Sequence, residues 1–588
     1  MSAPTPEDAL HWRRSLTAGG LLRAFNDAGV LDSADVHVAT RLCMQAGEAG
    51  EAAALALALA VRALRSGSVC VDLTTVAGEL DDPLDPQLSW PDPTAWLAAL
   101  RGSPLLGETP VLRLYQDRLL YLDRYWREEE QVCADLLAER PAPPAVDDAV
   151  LEAGLARVFS RPGSQEQCQA VRIALSQWTT VLTGGPGTGK TTTVAGLLAL
   201  LMEQAELGGR PRPRIALAAP TGKAAARLQE AVRVEVGLLG AADRARVSGL
   251  RAVTLHRLLG YRPGTSARFK HHRGNRLPHD VIVVDETSMV SLTMMARLLE
   301  AVRPQTRLIL VGDPDQLASV EAGAVLADLV DGLGGRDDVR IAELATSHRF
   351  GASIGQLAQA IRDGDADGAL DLLAAGGPHV EFVDTAQPTA ALRDLLVANA
   401  MRIRAAAAAG DPAAALAHLD RHRLLCAHRD GPSGVRHWNQ QVERWLAEET
   451  GESFWAQWYL GRPVLVTAND YGLGLYNGDT GVCFLVDGSL RVAVAGADRV
   501  QEFAASRLSE VETMHAMTIH KSQGSQADEV TVLMPPEDSR LLSRDLLYTA
   551  VTRAKEKVRI VGTTAEVRAA LDRRVVRASG LAHRLTQH

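Results

Sequence analysis

The chain has 588 residues, of which 46% are hydrophobic and 23% are charged, as in ordinary soluble globular proteins. This length corresponds to about three to four domains of roughly 150 residues each. The formal net charge of −9, from 62 Lys and Arg against 71 Asp and Glu, excludes a protein that coats nucleic acid through bulk charge, but it is compatible with a local basic groove.

Cysteine spacing and hydropathy exclude further classes. The six cysteines lie far apart and form no CxxC pair, which indicates neither a zinc site nor a disulfide framework and favours a reducing compartment. The N-terminus lacks an apolar signal core, and the most apolar stretch, Glu51–Leu64, is too short to span a bilayer and predicts a buried helix. We therefore expect a cytoplasmic protein without a membrane anchor.

The first 140 residues predict a mostly helical domain. A turn-rich piece, Asp81–Trp96, interrupts alanine- and leucine-rich segments, Thr109–Arg140 predicts a strand pair and a long helix, and Pro141–Ala145 predicts a linker. Asp and Glu recur throughout, which disfavours DNA as the ligand. We expect the domain to dock a partner protein, with DNA and the chain's own remaining domains as alternatives. Its tryptophans are candidate anchors: Trp12, Trp90, Trp96 and Trp126.

From about residue 165, short β-rich runs alternate with helical runs, which predicts an α/β fold with a parallel sheet. The runs TTVLTG, RIALAAPTG, DVIVVDE and TRLILVGD each end in polar residues, at the edge where such sheets place their chemistry. Further on, Gly461–Gly496 predicts a small antiparallel β module. The α/β pattern then resumes with DEVTVLMP and KVRIVGTT.

A glycine-rich loop between a predicted strand and a predicted helix satisfies the pattern G-x-x-x-x-G-K-[ST]. Its glycines let backbone N–H groups face phosphate oxygens, and the helix that follows directs its positive end at them. We expect Lys190 to reach the β- and γ-phosphates of ATP and Thr191 to ligate Mg²⁺. The residues expected to bind the nucleotide are Gly184, Gly185, Pro186, Gly187, Thr188, Gly189, Lys190, Thr191 and Thr192.

Two carboxylates and a glutamine follow later strands. Asp285 suits a role in holding Mg²⁺ through water, and Glu286 in positioning or deprotonating the attacking water, although DETS is also compatible with an acidic helix cap. Gln316 suits a γ-phosphate sensor, or a polar turn. The segments SHRF and YTAVTRAK offer Arg349 and Arg553, which suit stabilisation of the transition state from a second domain, or a surface role.

The order of the segments resembles that of the superfamily 1 helicases: QEQCQAV, GGPGTGKT, APTGKAAARLQE, VTLHRLLG, VVDETSM, VGDPDQLASV, SHRF, MTIHKSQGSQ and YTAVTRAK. The forms TIHKSQG and YTAVTRAK are similar to the branch that moves 5′→3′ on single-stranded DNA, so that the direction is implied by resemblance alone. TLHRLLGYRPG, DPDQLASVEAGAVLADL and YNGDTG resemble the RecD family, the α subunits of exodeoxyribonuclease V (RecBCD). This likeness covers about residues 150–565, and a weaker one covers the N-terminal region.

The resemblance implies an α/β fold of two RecA-like parallel-sheet lobes, a helical N-terminal domain and a small SH3-like β insertion in the second lobe. The expected divisions are residues 1–140 for the partner-docking domain and 141–350 for the first ATPase lobe, with a small insertion near 261–278. The second lobe then occupies residues 351–588, with the β insertion near 455–510.

The resemblance also assigns roles to residues. Gln167 matches the glutamine that reads adenine, and Arg349 and Arg553 match two arginine fingers, while the phosphate-loop, acidic-pair and Gln316 assignments agree with those above. The basic segment Ser266–Arg276, around Phe269, suits either a small hairpin that parts strands or a solvated loop. Six residues fall in motifs that line the DNA strand in this family: Thr221, Lys223, Thr254, His256, Thr518 and His520.

The implied function is an ATP- and Mg²⁺-dependent 5′→3′ translocase or helicase subunit of a RecBCD-type helicase-nuclease, which processes double-strand DNA ends for recombinational repair. Its partners would be RecB-like and RecC-like subunits in a heterotrimer, together with DNA that has duplex ends and a single strand with a 5′ end. Free-standing relatives carry helix-hairpin-helix modules in a longer N-terminal region, and residues 1–150 contain no convincing pair of these, which favours docking.

Three alternatives remain at this stage. The first is a helicase that acts alone. The second is a non-enzymatic scaffold with a degenerate ATPase, against which the intact Lys190, Asp285, Glu286 and Arg553 argue. The third is a nuclease in its own right, but the sequence shows no motif-grade carboxylate cluster outside the ATP site, so we expect nuclease activity to come from a partner chain.

Overall fold

A computed structural model describes the chain except for residues 1–12, 81–87, 143, 262–268, 337–339, 347–351, 453, 455, 471, 497–499 and 588. Three regions follow one another: an N-terminal helical region, a lobe built on a parallel sheet, and a second parallel-sheet lobe that carries an antiparallel sheet. Within the described residues, no helix is both long enough and apolar enough to cross a membrane.

The N-terminal region packs around one buried helix, α3, which confirms the prediction for Glu51–Leu64. Trp96 is buried against this helix and donates its indole N–H to the carbonyl of Ala52. The strand pair and long helix predicted within Thr109–Arg140 are also confirmed. The elements are α1 (Gly20–Asp27), α2 (Ser33–Ala46), α3 (Glu51–Arg65), β1 (Cys70–Asp72), α4 (Val76–Leu80), α5 (Pro93–Arg101), β2 (Leu112–Tyr115), β3 (Leu119–Leu122) and α6 (Asp123–Leu137).

The first lobe is a six-stranded parallel sheet in the order β6-β5-β7-β8-β4-β9. The four strands predicted from sequence are its four central strands, so the loops that leave their carboxyl ends converge. The elements are α7 (Asp148–Val158), α8 (Gln165–Ser176), β4 (Thr179–Gly184), α9 (Lys190–Leu207), β5 (Ile215–Ala219), α10 (Gly222–Leu238), α11 (Ala241–Val247), β6 (Ala252–Thr254), α12 (Leu255–Leu259), β7 (Val281–Val284), α13 (Leu292–Ala301), β8 (Arg307–Gly312), α14 (Val325–Leu333) and β9 (Arg340–Leu344).

The second lobe has a five-stranded parallel sheet in the order β10-β19-β18-β11-β17. Its elements are α15 (Ala352–Asp363), α16 (Ala366–Ala375), β10 (Val380–Asp384), α17 (Pro388–Ala408), α18 (Pro412–Arg421), β11 (His422–Cys426), α19 (Val435–Thr450), β17 (Ala516–Thr518), α20 (Ile519–Ser522), β18 (Ala527–Leu533), α21 (Arg544–Val551), β19 (Ala554–Gly562), α22 (Thr564–Asp572) and α23 (Leu581–Gln587).

The predicted β module is present as a five-stranded antiparallel sheet in the order β15-β14-β13-β12-β16. It lies in the chain between α19 and β17, so it is an insertion in the second lobe. Its strands are β12 (Pro463–Val466), β13 (Thr480–Val486), β14 (Ser489–Ala495), β15 (Val500–Ala504) and β16 (Val511–Thr513).

The last helix returns from the second lobe to the beginning of the chain. Helix α23 packs on α14 of the first lobe and on α6 of the N-terminal region, and its Leu581 and Leu585 belong to the same hydrophobic cluster as Val132 of α6. Arg584 pairs with the fully buried Glu129 at 3.3 Å. The N-terminal region is therefore joined to the first lobe and to the end of the second lobe through α23.

Candidate active site

The phosphate loop has the strand–loop–helix context that the sequence predicts. Strand β4 ends at Gly184 and helix α9 begins at Lys190. Gly189 has a φ of +87°, and a Cβ there would lie 2.3 Å from Nε2 of Gln167. Glycine is therefore required both by the left-handed backbone and by the close approach of the Gln167 amide.

Lys190 lies over the loop that precedes it. Its Nζ donates to the carbonyl oxygens of Gly184 at 2.5 Å and Gly185 at 2.9 Å. Helix α9 is buried along nearly its whole length, but Lys190, Thr191 and Thr192 in its first turn are partly exposed. The positive end of a rigid helix and one ammonium group therefore face the same space.

The acidic pair follows the buried strand β7. The backbone N–H of Asp285 donates to the carbonyl of Ala218 in the neighbouring strand at 2.9 Å, which fixes the direction of the chain. Glu286 has a φ of 52°, an uncommon conformation for a residue with a side chain and one that concentrates at functional sites. Burial, and then the adjacent Glu286 carboxylate, raise the pKa of Asp285, and Lys190 opposes this shift.

A hydrogen-bonded chain joins the two lobes beside the acidic pair. Asp313 accepts from Nε2 of Gln316 at 2.9 Å and from the hydroxyl of Tyr548 in the second lobe at 3.1 Å. Nη2 of Arg553 donates to Oε1 of Gln316 at 2.8 Å. Gln316 therefore contacts an acid of its own lobe and an arginine of the other.

A second set of hydrogen bonds between the lobes involves Leu317, the residue after Gln316. The backbone N–H of Leu317 donates to the hydroxyl of Thr549 at 2.9 Å, and Gln523 donates to the Leu317 carbonyl at 2.7 Å. Arg553 is held from its own lobe by a bond from Nε to the carbonyl of Thr549 at 3.0 Å. All of these groups are buried. The hydrogen bonds to Leu317 hold the loop after β8 against the second lobe.

Arg553 is a buried cation, 4% exposed, and none of the ion pairs formed by the described residues includes it. Burial lowers the pKa of Arg553, while Glu286 and Asp313 act to raise it. Burying a guanidinium without a paired carboxylate is costly, which indicates a site prepared for an anionic ligand.

The phosphate loop, the acidic pair, Gln316 and Arg553 line one cleft of about 1330 Å³ between the lobes. Gly184, Gly185 and Thr188 form the loop itself, whereas Arg349 lies outside the described residues. Tyr548 and Thr549 were missed by the sequence reading, although both belong to the YTAVTRAK segment. The predicted residues that line the cleft are Gln167, Pro186, Gly187, Gly189, Lys190, Thr191, Thr192, Asp285, Glu286, Gln316 and Arg553.

Three of the residues expected to contact DNA are helix caps. The hydroxyls of Thr221, Thr254 and Thr518 accept the backbone N–H three residues later, each at 3.2 Å. Each begins a helix directly after, or almost directly after, a strand of a parallel sheet. The capping bond uses the hydroxyl as an acceptor, so its proton can still be donated to a phosphate oxygen.

The two histidines of this set lie in partly buried positions. The ring of His256 is 5.8 Å from those of both Tyr261 and Phe269, and Tyr261 is 47% exposed. Burial lowers the pKa of His256 and of His520, which favours the neutral form of both rings. Lys223 differs from the other five residues because it lines the nucleotide cleft.

The basic segment Ser266–Arg276 is described only from Phe269 onward. Arg273 pairs with Asp135 of α6 at 2.7 Å, and Arg276 donates to the carbonyl of Val302. Two of its cations are thus already engaged within the chain, and the proposed strand-parting hairpin stays a prediction.

Comparison with known proteins finds matches to three parts of the chain. Family models match the RecBCD enzyme subunit RecD N-terminal domain at residues 27–121, an AAA domain at 167–322 and a UvrD-like helicase C-terminal domain at 513–561. RecBCD enzyme subunit RecD of Mycobacterium tuberculosis (strain ATCC 25618 / H37Rv) is 66% identical over 578 residues, which are 97% of this chain and 98% of that protein. The chain belongs to the RecD family.

The chain is also similar to a second RecBCD subunit, to a RecD2 helicase and to a solved helicase structure. RecBCD enzyme subunit RecD of Mycolicibacterium smegmatis is 67% identical over 96% of this chain and 99% of that protein. The ATP-dependent RecD2 DNA helicase of Deinococcus radiodurans is 30% identical over 80% of this chain and 59% of that protein. The match to a crystal structure of a Bacteroides Pif1 helicase with ADP-AlF3 and ssDNA covers 67% of this chain and 91% of the Pif1 chain. The sequence identity is 18% and the TM-score is 0.40.

Family membership confirms the predicted activity and fold class. The chain is an ATP-hydrolysing DNA helicase subunit with a mixed α/β fold, parallel-sheet lobes and a helical N-terminal region.

Proposed function

We propose that this RecD-family chain is the 5′→3′ motor of a RecBCD-type helicase-nuclease, which uses ATP to move along single-stranded DNA from double-strand ends. The observation that carries the proposal is the cleft in which Lys190, Asp285, Glu286 and Gln316 of one lobe meet Arg553 of the other. Relatives of almost the same length are named as subunits of the RecBCD enzyme. The direction of movement rests on the TIHKSQG and YTAVTRAK segments alone.

ATP binding uses the first lobe. The Gln167 amide, held against Gly189, reads the adenine edge, and Lys190 moves from the loop carbonyls to the β- and γ-phosphates. The Thr191 hydroxyl and the Asp285 carboxylate, both lining the cleft, are the hard oxygen donors that suit Mg²⁺. A bound cation offsets phosphate charge, and its presence would also favour the ionised form of Asp285.

Hydrolysis needs a base and a countercharge. Glu286 is directed into the cleft by its left-handed turn and accepts the proton of the attacking water. Arg553 lines the cleft from the second lobe and stabilises the charge that spreads over the transferred phosphoryl group. Gln316 holds the guanidinium of Arg553 and ties it to Asp313.

This arrangement couples hydrolysis to movement. When the γ-phosphate is present, Arg553 has an anionic partner supplied from the first lobe, and the lobes close. When the phosphate leaves, the buried guanidinium loses that partner, and closure is disfavoured. A strand held by the capping threonines of both lobes, Thr221, Thr254 and Thr518, then advances relative to one of them.

We also propose the division into a docking domain, residues 1–140, and two lobes, 141–350 and 351–588, with RecB-like and RecC-like partners. The tryptophans of this domain are weaker candidates for contacts with a partner in the structure than they are in the sequence. Trp96 is buried in the core, and the ring of Trp90 packs against Phe25 at 4.6 Å. Trp126 stacks under Arg113 and Arg584 at 4.9 and 5.2 Å, and Trp12 lies outside the described residues.

The test uses the complex co-purified from native lysate through a tag on this chain. Glu286→Gln keeps the size and hydrogen bonding of the side chain but removes the base. We expect ATP binding to persist, DNA-stimulated hydrolysis by this subunit to fall about 10²-fold or more, and the partner chains to be retained. The control is Glu537→Gln, at an exposed carboxylate outside the cleft. Hydrolysis at the wild-type rate in Glu286→Gln would overturn the assignment of the base.

A further inference from the structure

The interlobe cleft continues beyond the catalytic residues to two more cations. Lys223 lies in the first turn of α10 in the first lobe, and Arg423 lies in β11 of the second lobe. Both line the same cleft of about 1330 Å³ as Lys190 and Asp285. None of the other five residues predicted to contact DNA lines it.

Both cations have buried nitrogen atoms that lack hydrogen-bond partners among the described residues. Nζ of Lys223 is buried and makes no hydrogen bond, and the same holds for Nε and Nη1 of Arg423. Arg423 is 6% exposed, and its remaining Nη2 pairs with Asp420 at 2.6 Å. Unsatisfied buried donors require an explanation, and a ligand or ion that they bind is one.

The surrounding charges do not fill this position. Asp420 is already bound by Arg423, and Asp479 accepts the backbone N–H of Tyr476 at 2.8 Å. Burial, and then the charge of Arg423, lower the pKa of Lys223 to about 7. The charge of Arg423 thus disfavours the charged form of Lys223, and an anion bound beside the two groups would favour it.

The second lobe's insertion closes the outer side of this space. A Cβ on Gly222 would lie 2.5 Å from the ring of Tyr476, and a Cβ on Gly478 would lie 3.5 Å from the Lys223 side chain. The turn from Tyr476 to Asp479 therefore packs directly on the start of α10. The space beside Lys223 and Arg423 is therefore formed only when the first lobe, the second lobe and the insertion are packed against one another.

We propose that Lys223 and Arg423 form a transit site that receives inorganic phosphate after ATP hydrolysis. Hydrolysis releases this anion beside Lys190, Asp285 and Arg553, and the cleft is continuous from there. The Lys223 ammonium group and a free guanidinium N–H of Arg423 are charged donors that suit an oxyanion. The inference rests on the proposed hydrolysis and adds the route by which its product leaves.

A DNA phosphodiester offers the same chemistry, but the location favours the hydrolysis product. The site shares its cleft with the phosphate loop and not with the capping threonines. Because one cation belongs to each lobe, a phosphate held between them keeps the lobes closed after bond cleavage. Its departure would then time their opening, which makes the site part of the stepping cycle.

The experiment compares Lys223→Met and Arg423→Met with wild type in the co-purified complex. Lys555→Met is the matched control, because Lys555 lines the same cleft but pairs with Asp528 at 3.1 Å. The probe is radiolabelled inorganic phosphate, measured by equilibrium binding in the presence of ADP. We expect both variants to bind phosphate at least tenfold more weakly, and the control to bind it as wild type does.

Two further measurements separate the possible sources and functions. Acid-quench single-turnover assays report cleavage of ATP, and we expect them to be unchanged in both Met variants. Unchanged phosphate binding with at least tenfold weaker binding of single-stranded DNA would overturn the proposal in favour of a DNA contact. A lost cleavage step would place the pair in the chemical site instead. Because phosphate binding is measured without turnover, it is read independently of whether the proposed hydrolysis is correct.

Discussion

Substitution of Arg553 is the sharpest perturbation of the interlobe network. In the structure this arginine makes two short bonds, one from Nη2 to Gln316 at 2.8 Å and one from Nε to the carbonyl of Thr549 at 3.0 Å, and a longer one from Nη2 to the Thr552 hydroxyl at 3.5 Å. Its third nitrogen is left for the phosphoryl group. A lysine offers one ammonium on a flexible stem, so it cannot keep both bonds and also reach the phosphate with a planar fork.

The expected magnitude follows from that loss. Arginine fingers contribute about 10³ to 10⁵ in kcat, which corresponds to about 4–7 kcal/mol at about 1.4 kcal/mol per factor of ten. We expect Arg553→Ala to lower kcat about 10³-fold and Arg553→Lys about 10²-fold. The affinity for ATP should change by less than about threefold, because the phosphate loop and Gln167 belong to the first lobe.

The assay is DNA-stimulated ATP hydrolysis by the complex, with nucleotide affinity measured separately by a fluorescent analogue. The partner motor is disabled so that turnover reports on this subunit, and Lys555→Met serves as the control. Wild-type hydrolysis by Arg553→Lys would refute the reasoning and transfer the role to Arg349. Loss of nucleotide binding in Arg553→Ala would indicate a structural function.

Three further predictions test other parts of the account. Lys190→Gln should remove most DNA-stimulated ATPase activity of this subunit with little change in the unfolding midpoint, and wild-type turnover would contradict the phosphate-loop assignment. Arg584→Met should destabilise the chain by about 3 kcal/mol, seen as a lower unfolding midpoint, because it removes the cation that pairs with the buried carboxylate of Glu129, and the further change Glu129→Gln should recover part of the loss. Burial lowers the pKa of His422 to about 3, against about 6.5 in the unfolded chain. The stability due to its neutral ring is therefore complete above about pH 6.5 and is lost by up to about 1.4 kcal/mol per pH unit as the pH falls toward 3. The unfolding midpoint should accordingly fall more between pH 7 and 5 in wild type than in His422→Gln, and equal falls would contradict the shifted pKa.

Local sequence predicted the elements of the site well. The spacing of Gly184, Gly189 and Lys190 requires a strand, a loop and a helix, and the structure has them at those positions. Asp285 follows a short apolar run, which predicted a buried strand, and the structure has β7 there. Such features depend on neighbouring residues, so their pattern is visible in the chain order.

Contacts between the lobes were harder to predict. The bond from Tyr548 to Asp313 joins residues 235 positions apart, and the clamp of Thr549 on Leu317 spans 232 positions. Neither residue type is unusual in its own segment. The same holds for the return of α23 onto α6, because the buried pair of Arg584 and Glu129 consists of two residues that each read as surface charges.

The most direct test of the central claim is unwinding by the complex when this chain supplies the only active motor. The substrates are duplexes with either a 5′ or a 3′ single-stranded tail, and ATP is present. We predict unwinding of the 5′-tailed duplex alone, and its loss in Lys190→Gln. Unwinding of the 3′-tailed duplex, or unwinding that persists in Lys190→Gln, would contradict the account of this chain as a 5′→3′ motor.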